Sequence, residues 1–172
     1  MTSDEMPLGR STGYPGAYDP DLLFPVARAQ TRRTLPGAVS DWPWYGEDRW
    51  QAWELGWLRP NGVPRVAVGE FRFPADSPSL IESKSFKLYL NSLNGECFDS
   101  EARLRQVLER DLSAKAQAAV EVTLFPVDEP AAIVARPPGA RLIDDCEPVI
   151  LPPQRPLEQL SAPAAERVEE AL

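Results

Sequence analysis

The chain has 172 residues, 43% hydrophobic and 26% charged, and a formal charge of −8. That length suits one domain with a real core; the composition excludes collagen-like, coiled-coil and wholly disordered architectures; and the acidic balance argues against direct binding to nucleic acid through its phosphates. With no histidine, and with Cys97 and Cys146 far apart, neither a metal site nor a disulfide framework is expected.

In chain order, residues 1–48 carry Pro7, Pro15, Pro20, Pro25, Pro36 and Pro43 without helical or strand period. Each proline fixes φ and removes a backbone donor, so this stretch is expected to be an irregular extension, ordered only by packing onto something else. Nothing in residues 1–10 resembles an apolar signal core, and no window approaches the ~18 apolar residues of a membrane span, so the expected location is the cytoplasm and no membrane partner is expected. Trp42, Trp44, Tyr45, Trp50, Trp53 and Trp57 then crowd together, as core and hairpin packing or as an interaction surface.

Residues 50–58 alternate Gln51, Trp53, Leu55 and Trp57 against Trp50, Ala52, Glu54 and Leu58, which predicts a strand. Arg59-Pro60-Asn61-Gly62-Val63-Pro64 predicts a tight reversal. Residues 65–73 then return, with Val66 and Val68 on one face and Ala67, Phe71 and Phe73 on the other. Phe86, Tyr89, Leu90 and Leu93 fall at i, i+3, i+4 and i+7 and predict a helix. Asn94-Gly95 ends it, and Asp99 or Ser100 can cap a second helix with Leu104, Val107, Leu108 and Leu112 as its apolar stripe. Val120, Val122 and Leu124 mark a third strand, and residues 140–143 are a weaker fourth candidate. Pro148, Pro152, Pro153, Pro156 and Pro163 follow, then a helix-like stretch at 164–172.

The order β, β, α, α, β, with a candidate further β, reads as α+β: an antiparallel sheet with two helices on one face. The expected organisation is an extension at 1–48, the folded module at 49–147 and a Pro/Ala-rich tail with a short terminal helix at 148–172. The edges of such a sheet must be covered or paired, so a homo- or hetero-oligomer is expected.

The most informative stretch is Ile81-Glu82-Ser83-Lys84-Ser85-Phe86-Lys87-Leu88-Tyr89-Leu90-Asn91-Ser92. It resembles the Glu-Ser-Lys-Ser-Phe-Lys-Leu-Tyr signature of the NADPH-dependent 7-cyano-7-deazaguanine reductases, the nitrile reductases of queuosine biosynthesis. Leu8-Gly9-Arg10-Ser11-Thr12 and Tyr18-Asp19 are similar to the opening of that family's long, two-module form. Trp53-Glu54-Leu55-Gly56-Trp57-Leu58 and Val66-Ala67-Val68-Gly69 are similar to its first hairpin, Leu108-Glu109-Arg110-Asp111-Leu112-Ser113 to its second helix, and Ile143-Asp144-Asp145 to the end of its first module. The likeness runs over nearly the whole chain, but only to the N-terminal half of the longer enzyme. It implies a tunnelling fold, in which ββααββ modules pair edge to edge and bind purine- or pterin-like rings at their interfaces. It also implies Ile81, Glu82 and Ser83 near 7-cyano-7-deazaguanine, and Ser83 and Lys84 near NADPH. A carboxylate can accept from a guanine-like amino group and ring N–H, and ammonium and hydroxyl groups answer phosphate.

One departure weighs against catalysis by this chain alone. In the family a cysteine thiolate attacks the nitrile carbon, and an aspartate seven residues later donates a proton to the adduct. Here Leu104 stands at that distance from Cys97 and Pro153 from Cys146. The family's catalytic pair belongs to the second module, so the resemblance implies no catalytic residue in this chain and a second polypeptide or module that carries the cysteine. The leading expectation is the non-nucleophilic, N-terminal module of a nitrile reductase, as a split-gene subunit or a truncated copy. Its rivals are a catalytically silent tunnelling-fold module that binds a purine-like ring or scaffolds a related enzyme, and a Trp- and Pro-rich adaptor.

The individual residues have plainer readings as well. Ser79-x-x-Glu82 fits a capping box, with Glu82 satisfying a helix N-terminus. Lys84 and Lys87 fit solvated helix charges, although the chain holds only three lysines against fifteen arginines and two of the three lie in the signature. Both cysteines read as incidental thiols.

Overall fold

The computed structural model describes residues 13, 15–35 and 44–128. The candidate strand at 140–143, Cys146 and the tail at 148–172 lie outside the described residues. The elements are β1 (Pro25–Ala27), α1 (Arg28–Arg32), β2 (Glu47–Leu58), β3 (Pro64–Pro74), β4 (Ser79–Ile81), α2 (Ser83–Ser92), α3 (Glu101–Ala116) and β5 (Glu121–Phe125). Among the described residues β2, β3 and β5 form an antiparallel sheet in that order, and β1 pairs with β4 in a second, two-stranded one. The architecture is α+β.

The β2–β3 hairpin closes as its turn residues require. Gly62 sits at φ +78, where a residue without Cβ is free of strain, and its amide donates to the Arg59 carbonyl at 2.8 Å. Asn61 accepts from the Val63 amide at 3.2 Å. α2 and α3 carry the stripes read from the sequence: Phe86, Tyr89 and Leu93 are buried from one, Leu104, Leu108 and Leu112 from the other, and both meet Leu55, Trp57, Ala67, Phe71 and Phe73 of the sheet in one core. Phe86 of the signature is central to it. Its ring lies edge-on to Phe71 at 4.9 Å, Trp50 at 5.8 Å and Phe73 at 6.2 Å, contacts that contribute about 0.5–1.5 kcal/mol each beyond area burial. Ser100, rather than Asp99, caps α3 by accepting from the Arg103 amide at 3.1 Å.

Two features depart from the sequence pattern. β2 does not alternate throughout: Ala52 pairs with Gly69 but Leu55 with Ala67, so Trp53 and Glu54 together oppose one residue of β3. This β-bulge reverses the facing of the strand. Trp50 and Ala52 therefore pack on the core before it and Leu55 and Trp57 after it, while Trp53 is left 55% exposed. An unbroken strand would have turned one of those apolar pairs to solvent. Gly69, which pairs with Ala52 just before the bulge, sits where an added Cβ would come within 3.0 Å of the Phe71 ring and 3.3 Å of Leu55.

The second departure is the segment before β2, which follows no period yet is firmly attached. Residues 18–24 run along α2 as a strap containing a short 3-10 turn, Pro20–Leu22, capped by Asp19, and Leu23 enters the core at 1% exposure. β1 then pairs Pro25, Val26 and Ala27 with Ile81, Leu80 and Ser79. Arg28 binds Asp48 and Ser77, and Arg32 binds the Ala75 carbonyl and lies over the Trp44 ring at 4.0 Å. β2 itself opens at Glu47, two residues ahead of the expected start of the module.

Candidate functional site

The signature spans the junction of β4 and α2. Ile81 ends β4 with its side chain in the core, at 2% exposure. Glu82 is the N-cap, in extended conformation at φ −65 and ψ 133. Its Oε1 accepts from the Lys84 amide at 2.8 Å and its Oε2 from the Ser85 amide at 2.7 Å, so two of the donors that a helix start leaves unpaired meet one carboxylate. This corrects the capping-box reading, in which Ser79 caps and Glu82 reaches back. Ser79 instead lies in β4 and its carbonyl accepts from Ser77 Oγ at 3.0 Å, while Glu82 stands at the cap position itself because β1–β4 pairing holds the chain extended up to Ile81.

The remaining signature residues diverge around the helix. Ser83 is half-buried and donates weakly to Glu82 Oε1 at 3.4 Å. Lys84 is half-buried and Lys87 exposed, whereas Ser85 is fully buried. A groove of about 380 Å³ opens between β2 and α2, and Trp50, Trp53, Glu54, Ser83, Phe86 and Lys87 are among the residues on its walls. Its size lies within the range of small-molecule sites, and an aromatic lining with a few polar groups is the usual make-up of one. The structure thus joins Ser83 and Lys87 to a groove that the sequence reading does not identify. Trp53 and Glu54 reach it through the bulge, and nothing in the strand pattern signals that placement.

Behind the signature lies a buried polar cluster. Asp111 of α3, 7% exposed, accepts from Tyr18 of the strap at 2.5 Å, from Tyr89 of α2 at 2.8 Å and from Arg110 Nε at 2.8 Å. Burial, followed by the hydrogen bond to Asp111, pushes the Tyr18 phenol up to about 12. The same causes, again led by burial, raise the Tyr89 phenol. The cluster is buried at Asp111 and Tyr89, opens to solvent at Arg110, and fastens three segments together.

Cys97 is exposed, next to Leu58 in an isolated bridge. Among the described residues no group of three His, Cys, Asp or Glu could hold a metal ion, and no helix is long and apolar enough to cross a membrane.

Comparison with known proteins gives this geometry a family. Residues 14–124 match the family model described as nitrile reductase, 7-cyano-7-deazaguanine-reductase N-term. Proteins named NADPH-dependent 7-cyano-7-deazaguanine reductase are similar over most of the chain. The one from Chromohalobacter salexigens is 50% identical over 143 residues, which is 83% of this chain and 52% of that protein. Those from Acinetobacter baumannii and Dechloromonas aromatica are each 47% identical, covering 86% and 84% of this chain and 53% and 51% of their own. The chain therefore spans about half the length of the curated relatives it matches. With the signature, the hairpin and both long helices inside the matched region, the chain belongs to the 7-cyano-7-deazaguanine reductase family of nitrile reductases, to the part described by its N-terminal model.

Proposed function

We propose that this chain is the N-terminal module of an oxidoreductase that reduces 7-cyano-7-deazaguanine to 7-aminomethyl-7-deazaguanine with NADPH, in the biosynthesis of queuosine for tRNA. Its own part is ligand binding, and a second module or polypeptide supplies the nucleophilic cysteine and its aspartate. The observation that carries the reading is the family match over residues 14–124, which contains the whole signature.

The chemistry of the signature supports it. Glu82 is 7% exposed and offers its remaining lone pairs to a ligand's amino and ring N–H groups, a match for the donor edge of a guanine-like ring. Ser83 stands beside it with a hydroxyl, and Ile81, whose side chain is committed to the core, has only its peptide to offer. Ser83 and Lys84 would hold the cofactor, a hydroxyl and an ammonium answering phosphate, and the aromatic groove next to Ser83 suits a planar ring. NADPH, when bound, supplies hydride. This chain contributes the orientation of the nitrile-bearing ring relative to it. The free sides of β2 and β5 among the described residues are where a further tunnelling-fold module would pair, in a homo- or hetero-oligomer.

The test is to combine the chain with a cysteine-bearing half and to follow nitrile-dependent NADPH oxidation, with calorimetric titration of each ligand. Turnover that requires both halves supports the reading. Ring binding without turnover indicates a silent module, and neither binding nor turnover overturns the proposal.

A further inference from the structure

Two serines on α2, two helical turns apart, hold the strap. Ser92 Oγ accepts from the Asp19 amide at 3.3 Å and donates to the Tyr89 carbonyl at 2.6 Å. Ser85 Oγ accepts from the Phe24 amide at 3.1 Å and donates to the Glu82 carbonyl at 2.7 Å. The chemistry of the two rungs is the same, but their surroundings differ. At the Ser85 rung the Phe24 carbonyl accepts from the Glu82 amide at 2.9 Å, so Phe24, Ser85 and Glu82 close a ring of hydrogen bonds in which both polar groups of the Glu82 peptide are engaged. The strap is anchored at its other end by Tyr18 on Asp111 and by Asp21 on Lys115 at 3.1 Å.

We propose that the strap is a positioning element for the ligand-facing carboxylate: Ser85, the second serine of the signature, fixes the peptide of Glu82 and so the direction of its side chain, without touching ligand. The inference rests on the reading of Glu82 as a ligand acceptor. A glutamate has three side-chain torsions, and its carboxylate can cap α2 and face a ligand at once only while its backbone stays extended at the cap. The ring holds that backbone, together with the Phe86 amide, which donates to the Glu82 carbonyl at 2.9 Å. Cutting the ring at Ser85 leaves the Phe24 amide unpaired and the Glu82 carbonyl with the Phe86 amide alone, which loosens the Glu82 peptide, whereas cutting the Ser92 rung loosens the strap at the far end of the helix.

Three substitutions separate these roles in the 172-residue chain. Amide hydrogen exchange by NMR reads the cap directly, through the Lys84 and Ser85 amides that Glu82 holds. Ser85→Ala is expected to speed their exchange about tenfold, the loss of one hydrogen bond. Tyr18→Phe, which loosens the strap at its far end without cutting into α2, is expected to leave the same amides within about twofold of the parent. Ser92→Ala is expected to lower the melting temperature yet leave both amides within about twofold of the parent. In the enzyme assembled with its cysteine-bearing half, Ser85→Ala is then expected to weaken 7-cyano-7-deazaguanine binding about tenfold and Ser92→Ala to leave it unchanged. Unchanged cap amides in Ser85→Ala, or equal exposure of them in Ser92→Ala, overturn the positioning role. If Ser85→Ala exposes the cap amides but Glu82→Ala leaves ligand binding intact, the ligand reading of Glu82 has failed, and the strap positions a helix cap alone.

Discussion

Replacing Glu82 by alanine and by glutamine should rank the two variants in opposite orders for stability and for ligand binding. The carboxylate accepts from two amides, at 2.8 Å and 2.7 Å, from a site that is 7% exposed. Alanine loses both bonds and the charge at the helix N-terminus, about 2 kcal/mol together, or roughly 4–8 °C in melting temperature for a chain of this size. Glutamine keeps one acceptor oxygen for the cap and should lose only about half as much. Binding should run the other way. Alanine leaves a space in which a water can accept from the ligand, whereas the glutamine oxygen is drawn to the helix amides and its NH2 then meets the ligand's donors. Both variants should weaken 7-cyano-7-deazaguanine by ~1–3 kcal/mol, with glutamine the weaker binder. Thermal denaturation and calorimetric titration of the assembled enzyme supply the two rankings. If binding merely follows stability, with glutamine close to the parent and alanine worst, Glu82 is a helix cap and the ligand assignment is wrong.

Lys84→Ala should raise the KM for NADPH while leaving covalent capture of the nitrile largely intact. Lys87, from its exposure, would serve as a neutral control, but its place on the groove wall predicts that Lys87→Ala also weakens a ligand; unchanged constants in both variants would refute the assignment of this end of α2 to the cofactor. The chain alone, incubated with the nitrile, should form no thioimide on Cys97 or Cys146, because neither cysteine is followed seven residues later by an aspartate, as the family's nucleophile is; a mass increase on either would overturn this. The Tyr18 phenol, pushed up to about 12, and the raised Tyr89 phenol both bind their protons more tightly folded than unfolded. Their contribution is complete below the ordinary tyrosine value of about 10; that of Tyr18 is lost as pH rises from there through about 12, and that of Tyr89 goes on falling above it. Denaturant titrations at stepped alkaline pH should show that fall, and a flat profile would count against the buried Tyr18–Asp111–Tyr89 arrangement.

The parts of the fold legible in the sequence are those whose packing is periodic. β3, α2, α3 and β5 each place apolar residues at the spacing of their own element, and Ala67, Phe71, Phe73, Phe86, Tyr89, Leu93, Leu104, Leu108, Leu112, Val120 and Val122 enter the core, with Leu90 and Leu124 half-buried against it. The bulge at Trp53 and Glu54 was not legible, because either face of β2 carries apolar residues and only the shared core decides that both sets turn inward. The strap was hidden for a different reason. Its attachment depends on single side chains, Ser85, Ser92 and Asp111, more than 60 positions away in sequence, and a proline-rich stretch bound through isolated rungs leaves no period to read.

The signature was legible by likeness, and the structure changes what its first residue has to do. The sequence poses Glu82 as either a helix cap or a ligand contact, yet a carboxylate has about four acceptor positions, and the two helix amides use one on each oxygen. Capping and binding are therefore compatible, and they reinforce each other. Ordering a glutamate side chain costs about 1.5 kcal/mol of rotamer freedom, and in this fold that loss is incurred on folding, when Lys84, Ser85 and the strap fix the carboxylate. A ligand arriving at an acceptor already held in place does not bear that cost again. On the proposed ligand role of Glu82, the cap gives that carboxylate its value as a recognition group, which is why binding should depend on Ser85, a residue buried too deeply to meet the ligand itself.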